Sequence, residues 1–168
     1  FYQKASFLAR LGSGSAARSV LGPVSLWGEN RTLETCSNLY AINFGEDLNP
    51  VFKSYQDTIL LVDRGIKVIS SSKGHDLMHE HPFASNRFLQ ASNNLDSLLP
   101  IMKSGDIDAF IKIVELEALS LHAMMMTSTP YFILIKPNTL EILDCIWNFR
   151  KTTNSKVCFT LDAGANVH

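Results

Sequence analysis

Phe7-Leu8-Ala9-Arg10-Leu11-Gly12-Ser13-Gly14-Ser15-Ala16-Ala17-Arg18-Ser19 is the stretch from which the rest of the chain can be read. Phe7, Leu8 and Leu11 share one face of a helix over residues 2–11. Gly12 to Ser15 interrupt that helix, and a second is predicted from Ser15 to Val20, stopped by Gly22-Pro23. Glycines let backbone N–H groups approach an anion closely, and a helix start adds unpaired donors and the positive end of a dipole. Ser13 and Ser15 add hydroxyls, and Arg18 offers a two-pronged fork for a carboxylate or phosphate. The same residues also suit a plain helix N-cap with tight packing at Ala16 and Ala17. No Gly-Lys-Ser/Thr follows, so the stretch is not the nucleotide P-loop.

At the other end, Thr160-Leu161-Asp162-Ala163-Gly164-Ala165-Asn166 carries an apolar strand into a glycine turn and delivers a carboxylate there. A base at such a strand end takes a proton from a substrate hydroxyl within hydrogen-bond reach. The structural counterpart is a turn Asp bonded to its own backbone. Together the two segments suggest a site for a phosphorylated, acidic substrate on which Asp162 acts.

Between them, strands are predicted over Val24–Trp27, Leu39–Phe44, Thr58–Val62, Lys67–Ser70, Tyr131–Ile135 and Val157–Leu161. Asp63-Arg64-Gly65 reads as a turn. Helices are predicted from Lys73 to Lys103 with an interruption near Pro82, over Asp106–Met126, and over Thr139–Arg150. Strands cluster early, long helices sit in the middle, and a strand–helix–strand run closes the chain. This is an α+β layout, a largely antiparallel sheet with helices packed on one face, read as a single domain over 1–168.

The 168 residues suffice for one domain with a core, and 46% apolar content makes it globular. Fifteen basic against sixteen acidic residues leave a net charge of −1, which argues against nucleic acid or an anionic membrane as partner. No apolar run reaches bilayer length, and the first residues lack a secretory pattern. Three cysteines, Cys36, Cys145 and Cys158, fit reduced thiols in the cytoplasm. The chain starts at Phe1 within a helix and stops just after a turn, so it reads as a piece of a longer protein.

Other polar clusters are less specific. Ser70-Ser71-Ser72-Lys73-Gly74 is either a second phosphate-binding turn or a capped helix start. His75 and His79 are one helical turn apart with His81 nearby, a spacing that can bind zinc. No fourth ligand is evident, so a polar helix face is the preferred reading and no metal is assigned. His122, inside the long apolar helix, reads as a hydrogen-bonded, partly buried imidazole, and Met124 to Met126 as core.

In order along the chain, several motifs resemble diphosphomevalonate decarboxylases of the galactokinase, homoserine kinase, mevalonate kinase and phosphomevalonate kinase (GHMP) superfamily. Ala9-Arg10-x-Gly12-Ser13-Gly14-Ser15-Ala16-x-Arg18-Ser19, then Gly22 and Trp27, resembles the family's diphosphate-binding segment. Val68-Ile69-Ser70-Ser71 is similar to its second serine turn, and His122-Ala123 with Thr129-Pro130 to its central helix and the strand after it. Leu161-Asp162-Ala163-Gly164-x-Asn166 resembles its catalytic segment. The resemblance implies that this is the C-terminal portion of an enzyme of isoprenoid biosynthesis. There ATP phosphorylates the tertiary hydroxyl of mevalonate 5-diphosphate, phosphate leaves, and carbon dioxide departs to give isopentenyl diphosphate.

By the same resemblance Asp162 faces the hydroxyl, Arg18 holds the carboxylate, and Ser13, Gly14, Ser15, Ser70 and Ser71 line the diphosphate pocket. ATP and Mg2+ belong to the full-length enzyme. The nucleotide loop lies N-terminal to this segment, so the segment alone is expected to bind neither and to be inactive. Partners implied are a small phosphorylated substrate, with no nucleic acid and no membrane, and a homodimer is compatible. The chain has Ser72-Lys73 where the family has arginine, Gly74-His75 where it has Gly-Met, and Glu117-Ala118-Leu119 where it has an acidic-Ser-Asn signature. Two other readings therefore stay open: a kinase or decarboxylase for another mevalonate phosphate, and a non-catalytic binding or interaction domain of the same superfamily.

Overall fold

The computed structural model describes residues 1–65 and 76–168. The predicted strand at Lys67–Ser70, the helix start at Lys73, His75 and the Ser70-Ser71 turn fall outside those residues. The chain forms two compact units, Phe1–Tyr55 with Ser92–Gly105, and Gln56–Ala91 with Asp106–His168.

In the first unit, α1 (Tyr2–Gly12) is followed by a 3-10 helix over Gly14–Val20 and by the strands β1 (Ser25–Trp27) and β2 (Ala41–Asn43). The strands pair antiparallel, Ser25 opposite Asn43, Leu26 opposite Ile42 and Trp27 opposite Ala41. Ser6 joins these pieces. It is fully buried; its Oγ donates to Ala17 O at 2.7 Å and accepts the Ala41 N–H at 2.9 Å. One hydroxyl thus pairs a carbonyl of the 3-10 helix and an N–H of β2, groups that no ladder would otherwise satisfy. Ala17 and Ala41, both fully buried, leave room for this close approach.

The second half of α2 (Ala84–Ser104) belongs to this unit, and Asn49 covers its end. The Asn49 N–H donates to Met102 O at 2.9 Å and its Nδ2 to Ser104 O at 3.1 Å, so two terminal helix carbonyls are paired. Gly105 then leaves the helix at φ +86, and a Cβ there would come within 2.8 Å of the Asn49 amide. Only glycine meets both demands.

The second unit is built on α3 (Ile107–Met126) and α4 (Pro137–Thr153). Asp106 caps α3 by accepting the Ala109 N–H at 3.0 Å. Ala118, Leu143, Phe159, Leu161 and Val167 make the buried core, flanked by Ile135, Ile142 and Ile146. Glu115, nearly buried on α3, accepts from both Arg150 nitrogens at 2.6 and 3.1 Å and from Trp147 Nε1 at 3.1 Å. Arg150 also donates to Val157 O at 2.9 Å, tying α4 to the chain that follows it. The carboxylate beside Arg150 raises the guanidinium's pKa further, so it stays charged throughout.

The architecture is α+β and helix-rich, and every pairing among the described residues is antiparallel. The sheet is smaller than the strand count predicted. Thr58–Val62 pairs only through Leu60, opposite Val167; in Val157–Leu161, Leu161 pairs with Val167 and Thr160 exchanges two 3.0 Å bonds with His168. Tyr131–Ile135 pairs with no described residue as a strand, and Tyr131 and Ile133 stand exposed. The second predicted helix is present as a 3-10 segment, and the last one begins two residues earlier than predicted, at Pro137. No helix among the described residues is long and apolar enough to cross a membrane. No disulfide joins the described cysteines.

Ser6→Ala removes a hydroxyl that serves two buried backbone groups and leaves both unpaired. The expected loss is about 2–4 kcal/mol of unfolding free energy, read as a lower denaturant midpoint at unchanged slope. A loss under about 0.5 kcal/mol would show that Ser6 is not the joint.

Candidate functional site

The first candidate segment lies in the first unit. α1 ends at Gly12, and Ser13 is extended at φ −156 and ψ 128. Ser13 O accepts the Ala16 N–H at 3.0 Å, which starts the 3-10 turn. The Ser13 hydroxyl makes no cap; it lies 3.4 Å from the Ser15 hydroxyl, and both are exposed. The plain N-cap reading of Ser13 therefore does not hold. The helix that follows is 3-10 and seven residues long, so an anion there would be held by hydroxyls and charge more than by a helix dipole. Gly14 packs against Trp27, whose ring would lie 3.3 Å from any Cβ at that position. Arg18 points an exposed guanidinium that meets no described residue, while its carbonyl accepts from Ser25 Oγ at 3.0 Å.

The second segment lies in the second unit. Leu161 and Val167 face each other across an antiparallel bridge, and residues 162–166 turn between them. Asp162 O accepts the Gly164 N–H at 2.7 Å and His122 Nε2 at 3.1 Å. The Asp162 carboxylate is exposed and takes no hydrogen bond from any described residue, so it is not the self-bonded turn Asp considered above. At the far end of the turn Thr139 Oγ1 donates to Ala165 O at 2.7 Å. Asn166 Oδ1 accepts the N–H groups of Val62 and Asp63 at 2.9 and 3.0 Å. Asp63 is ion-paired with Lys136 and accepts the Gly65 N–H at 2.8 Å, the predicted Asp63–Gly65 turn. The Lys136 hydrogen bond, then that N–H, hold its carboxyl below the ordinary 3.8.

His122 is 2% exposed, as its place in the apolar helix suggested, and burial pushes its pKa below the ordinary 6.5 against the opposing pull of Asp162 O. The spacing of His122 on α3 marked it as bonded but could not name its partner, forty residues away. For Thr139 and Lys136 the sequence carries one signal, a Lys-Pro-x-Thr helix start. His81 is committed to the protein: Nε2 lies 3.0 Å from Met124 O and 3.1 Å from Thr127 Oγ1, and Nδ1 accepts the Phe83 N–H at 3.1 Å. Both ring nitrogens are used, which removes it as a metal ligand.

No family model matches the chain. It is 26% identical over 168 residues to a phosphomevalonate decarboxylase of Haloferax volcanii, covering 97% of this chain and 48% of that protein. Among solved structures, a mevalonate diphosphate decarboxylase from Legionella pneumophila is 30% identical with a TM-score of 0.81, over 99% of this chain and 49% of that one. Over nearly its whole length the chain is similar to decarboxylases of mevalonate phosphates. MDDEF, solved with MVAPP, AMPPCP and magnesium, is 25% identical with a TM-score of 0.81, over 99% of this chain and 50% of that one. The chain thus spans about half the length of these decarboxylases, and the resemblance to their C-terminal portion holds along nearly all of it.

The lowered pKa of His122 has a sign. The unfolded chain takes up a proton near 6.5 while the folded chain resists it, so the stability of the neutral form is present above 6.5 and is lost as pH falls below it. Asp63, held below 3.8, acts in a separate window below that value. Between pH 7 and pH 5 the protein is expected to lose more stability than its His122→Gln variant does, measured by denaturant titration at each pH. Equal losses would show that His122 is not the group responsible.

Proposed function

We propose that the full-length protein is a cytoplasmic, ATP-dependent decarboxylase that converts mevalonate 5-diphosphate to isopentenyl diphosphate. Residues 1–168 would form one domain, its substrate-binding and catalytic portion. The observation that supports this most is the likeness to mevalonate-phosphate decarboxylases along nearly the whole chain. Arg18 and Asp162 lie in the two family-like segments, and each is exposed and available to a ligand.

In this reading Ser13, Ser15, Arg18 and Asp162 each act on a different group of one substrate. Arg18 holds the substrate carboxylate by a charge-assisted fork. Ser13 and Ser15 donate to the diphosphate, Gly14 lets the backbone come close, and Ser70 and Ser71 line the same pocket. Asp162 accepts a hydrogen bond from the tertiary hydroxyl and orients or deprotonates it. ATP with Mg2+ supplies the phosphoryl group in the full-length protein, and none of the residues named here is assigned to either.

A second reading has one observation in its favour, the Haloferax volcanii relative, whose name specifies phosphomevalonate. A monophosphate would need the same carboxylate and hydroxyl contacts and fewer donors at the serine turn. Carbon dioxide and phosphate release from each substrate, measured side by side with the full-length protein, separates the two.

In that protein Asp162→Asn is expected to lower kcat ~10²–10⁴-fold with little change in KM, since shape is kept while the base is lost. Arg18→Ala should cost about 10²-fold in kcat through misplacement of the carboxylate. Ser13→Ala removes one of several donors and should weaken binding by about 1–3 kcal/mol, seen mainly in KM. Near-normal kcat in Asp162→Asn would return Asp162 to the status of a turn residue.

The 168-residue chain alone is expected to form no ADP from ATP with mevalonate diphosphate, because nothing assigned in it positions the phosphoryl group. Measurable ADP from the purified chain would overturn this.

A further inference from the structure

The Asp162–Asn166 turn has no ladder of its own and is held by side chains from outside it. His122 Nε2, on α3, meets Asp162 O at 3.1 Å. Thr139 Oγ1, in the first turn of α4, meets Ala165 O at 2.7 Å. Asn166 reaches out the other way, taking the N–H groups of Val62 and Asp63. The holding groups His122 and Thr139 are 2% and 0% exposed, whereas the Asp162 side chain is exposed. A carbonyl and a side chain leave the same Cα. Holding the 162–163 peptide plane therefore restrains ψ of Asp162, and with it the direction in which Cβ leaves the backbone.

We infer that His122 and Thr139 are positioning residues that set where the Asp162 carboxylate stands, by holding the carbonyls at the two ends of its turn. This rests on the reading of Asp162 as the acting group. The imidazole suits the task. It is rigid, it is anchored on a long helix, and the carbonyl requires its proton on Nε2. Burial disfavours a second proton, so the same donor is presented across neutral pH. Thr139 is fixed in turn, because its hydroxyl also accepts the Lys136 N–H at 3.1 Å at the start of α4. Neither residue approaches the reaction directly in this scheme; both act through the backbone of Asp162.

The test uses the full-length protein with His122→Leu, His122→Gln, Thr139→Val and Asp162→Asn, read by hydrogen exchange over residues 160–168 and by steady-state kinetics. His122→Leu is expected to speed exchange at the Gly164 to Asn166 amides about five- to thirtyfold, the equivalent of one lost hydrogen bond. It should also lower kcat about 10²-fold with KM changed less than about threefold, the signature of a displaced catalytic group. His122→Gln, which restores an N–H donor, should recover most of both. If His122→Leu does not fold, Thr139→Val carries the same two readouts from the other carbonyl. Unchanged exchange at the turn, unchanged kcat, or a Gln variant no better than Leu overturns the inference while leaving Asp162 in its role. A faster-exchanging turn together with full kcat in Asp162→Asn overturns the catalytic reading, and the positioning role with it.

Discussion

Buried backbone groups have to be paired, and in this chain much of that pairing cannot come from ladders. The only regular sheet among the described residues is two strands of three residues each. The deficit is met by fully buried hydroxyls. Ser6 accepts the Ala41 N–H and donates to Ala17 O; Thr139 accepts the Lys136 N–H and donates to Ala165 O. In each unit one small side chain takes an N–H from one segment and gives a proton to another far along the chain. An apolar residue in either place would strand two backbone groups, at the full cost of their desolvation. The small residues around these joints, Ala17, Ala41 and Ala165, follow from the same requirement, since a short hydroxyl reaches only what comes close.

The ionic contacts sort by the same logic. Arg150 and Glu115 are mostly buried, share two hydrogen bonds, and recruit Trp147 and Val157 O, so both carboxylate oxygens and three of the guanidinium's donors are used. Such a pair is costly to break and need not raise stability over an apolar substitute. Arg87 meets Glu117 in two bonds of 3.2 and 2.5 Å between α2 and α3. Outer pairs such as Lys156–Asp108 are exposed on both sides and contribute little. The guanidinium of Arg18 and the carboxylate of Asp162 are exposed and, like several other surface charges, have no ion pair among the described residues. What sets these two apart is their place in the glycine–serine and Asp-Ala-Gly segments, where both side chains remain available.

Periodicity made the helices legible and left the sheet largely unread. Tyr2–Gly12 and Ile107–Met126 were visible because their apolar spacing repeats over several turns and their ends carry Gly12 and Asp106. Thr58–Val62, Tyr131–Ile135 and Val157–Leu161 are apolar runs with strand-like composition, yet a strand is defined by its partner, and partners are not written in a local window. Their extended tendency is realised only as the bridges of Leu60 and Leu161 with Val167. The glycine–serine turn is legible as a break, while its 3-10 form and the Trp27 ring lying against Gly14 are matters of the tertiary fold. His122 could be recognised as a bonded imidazole in an apolar stripe; that it meets Asp162 O is a fact of the tertiary fold.

The two candidate segments share a construction that bears on how a weak scaffold can hold precise groups. At Arg18 the carbonyl is held by Ser25 Oγ, on β1, and at Asp162 by His122 Nε2, on α3. In both cases the backbone of the charged residue is tied by a neighbouring element while its own side chain is left unspent. A side chain that stabilised its own turn would be well placed but unavailable, and one with an untethered backbone would be available but poorly placed. Splitting the tasks between carbonyl and side chain resolves the conflict, and it does so with a donor that is neutral in each case, so no second charge is brought beside the one kept for a ligand. Pre-organisation of this kind costs entropy during folding, when it is shared with the rest of the core, and not at the moment of binding. It also places the residues that govern alignment outside the motifs themselves. Substitutions at Ser25 or His122 would then alter the behaviour of Arg18 or Asp162 without touching either.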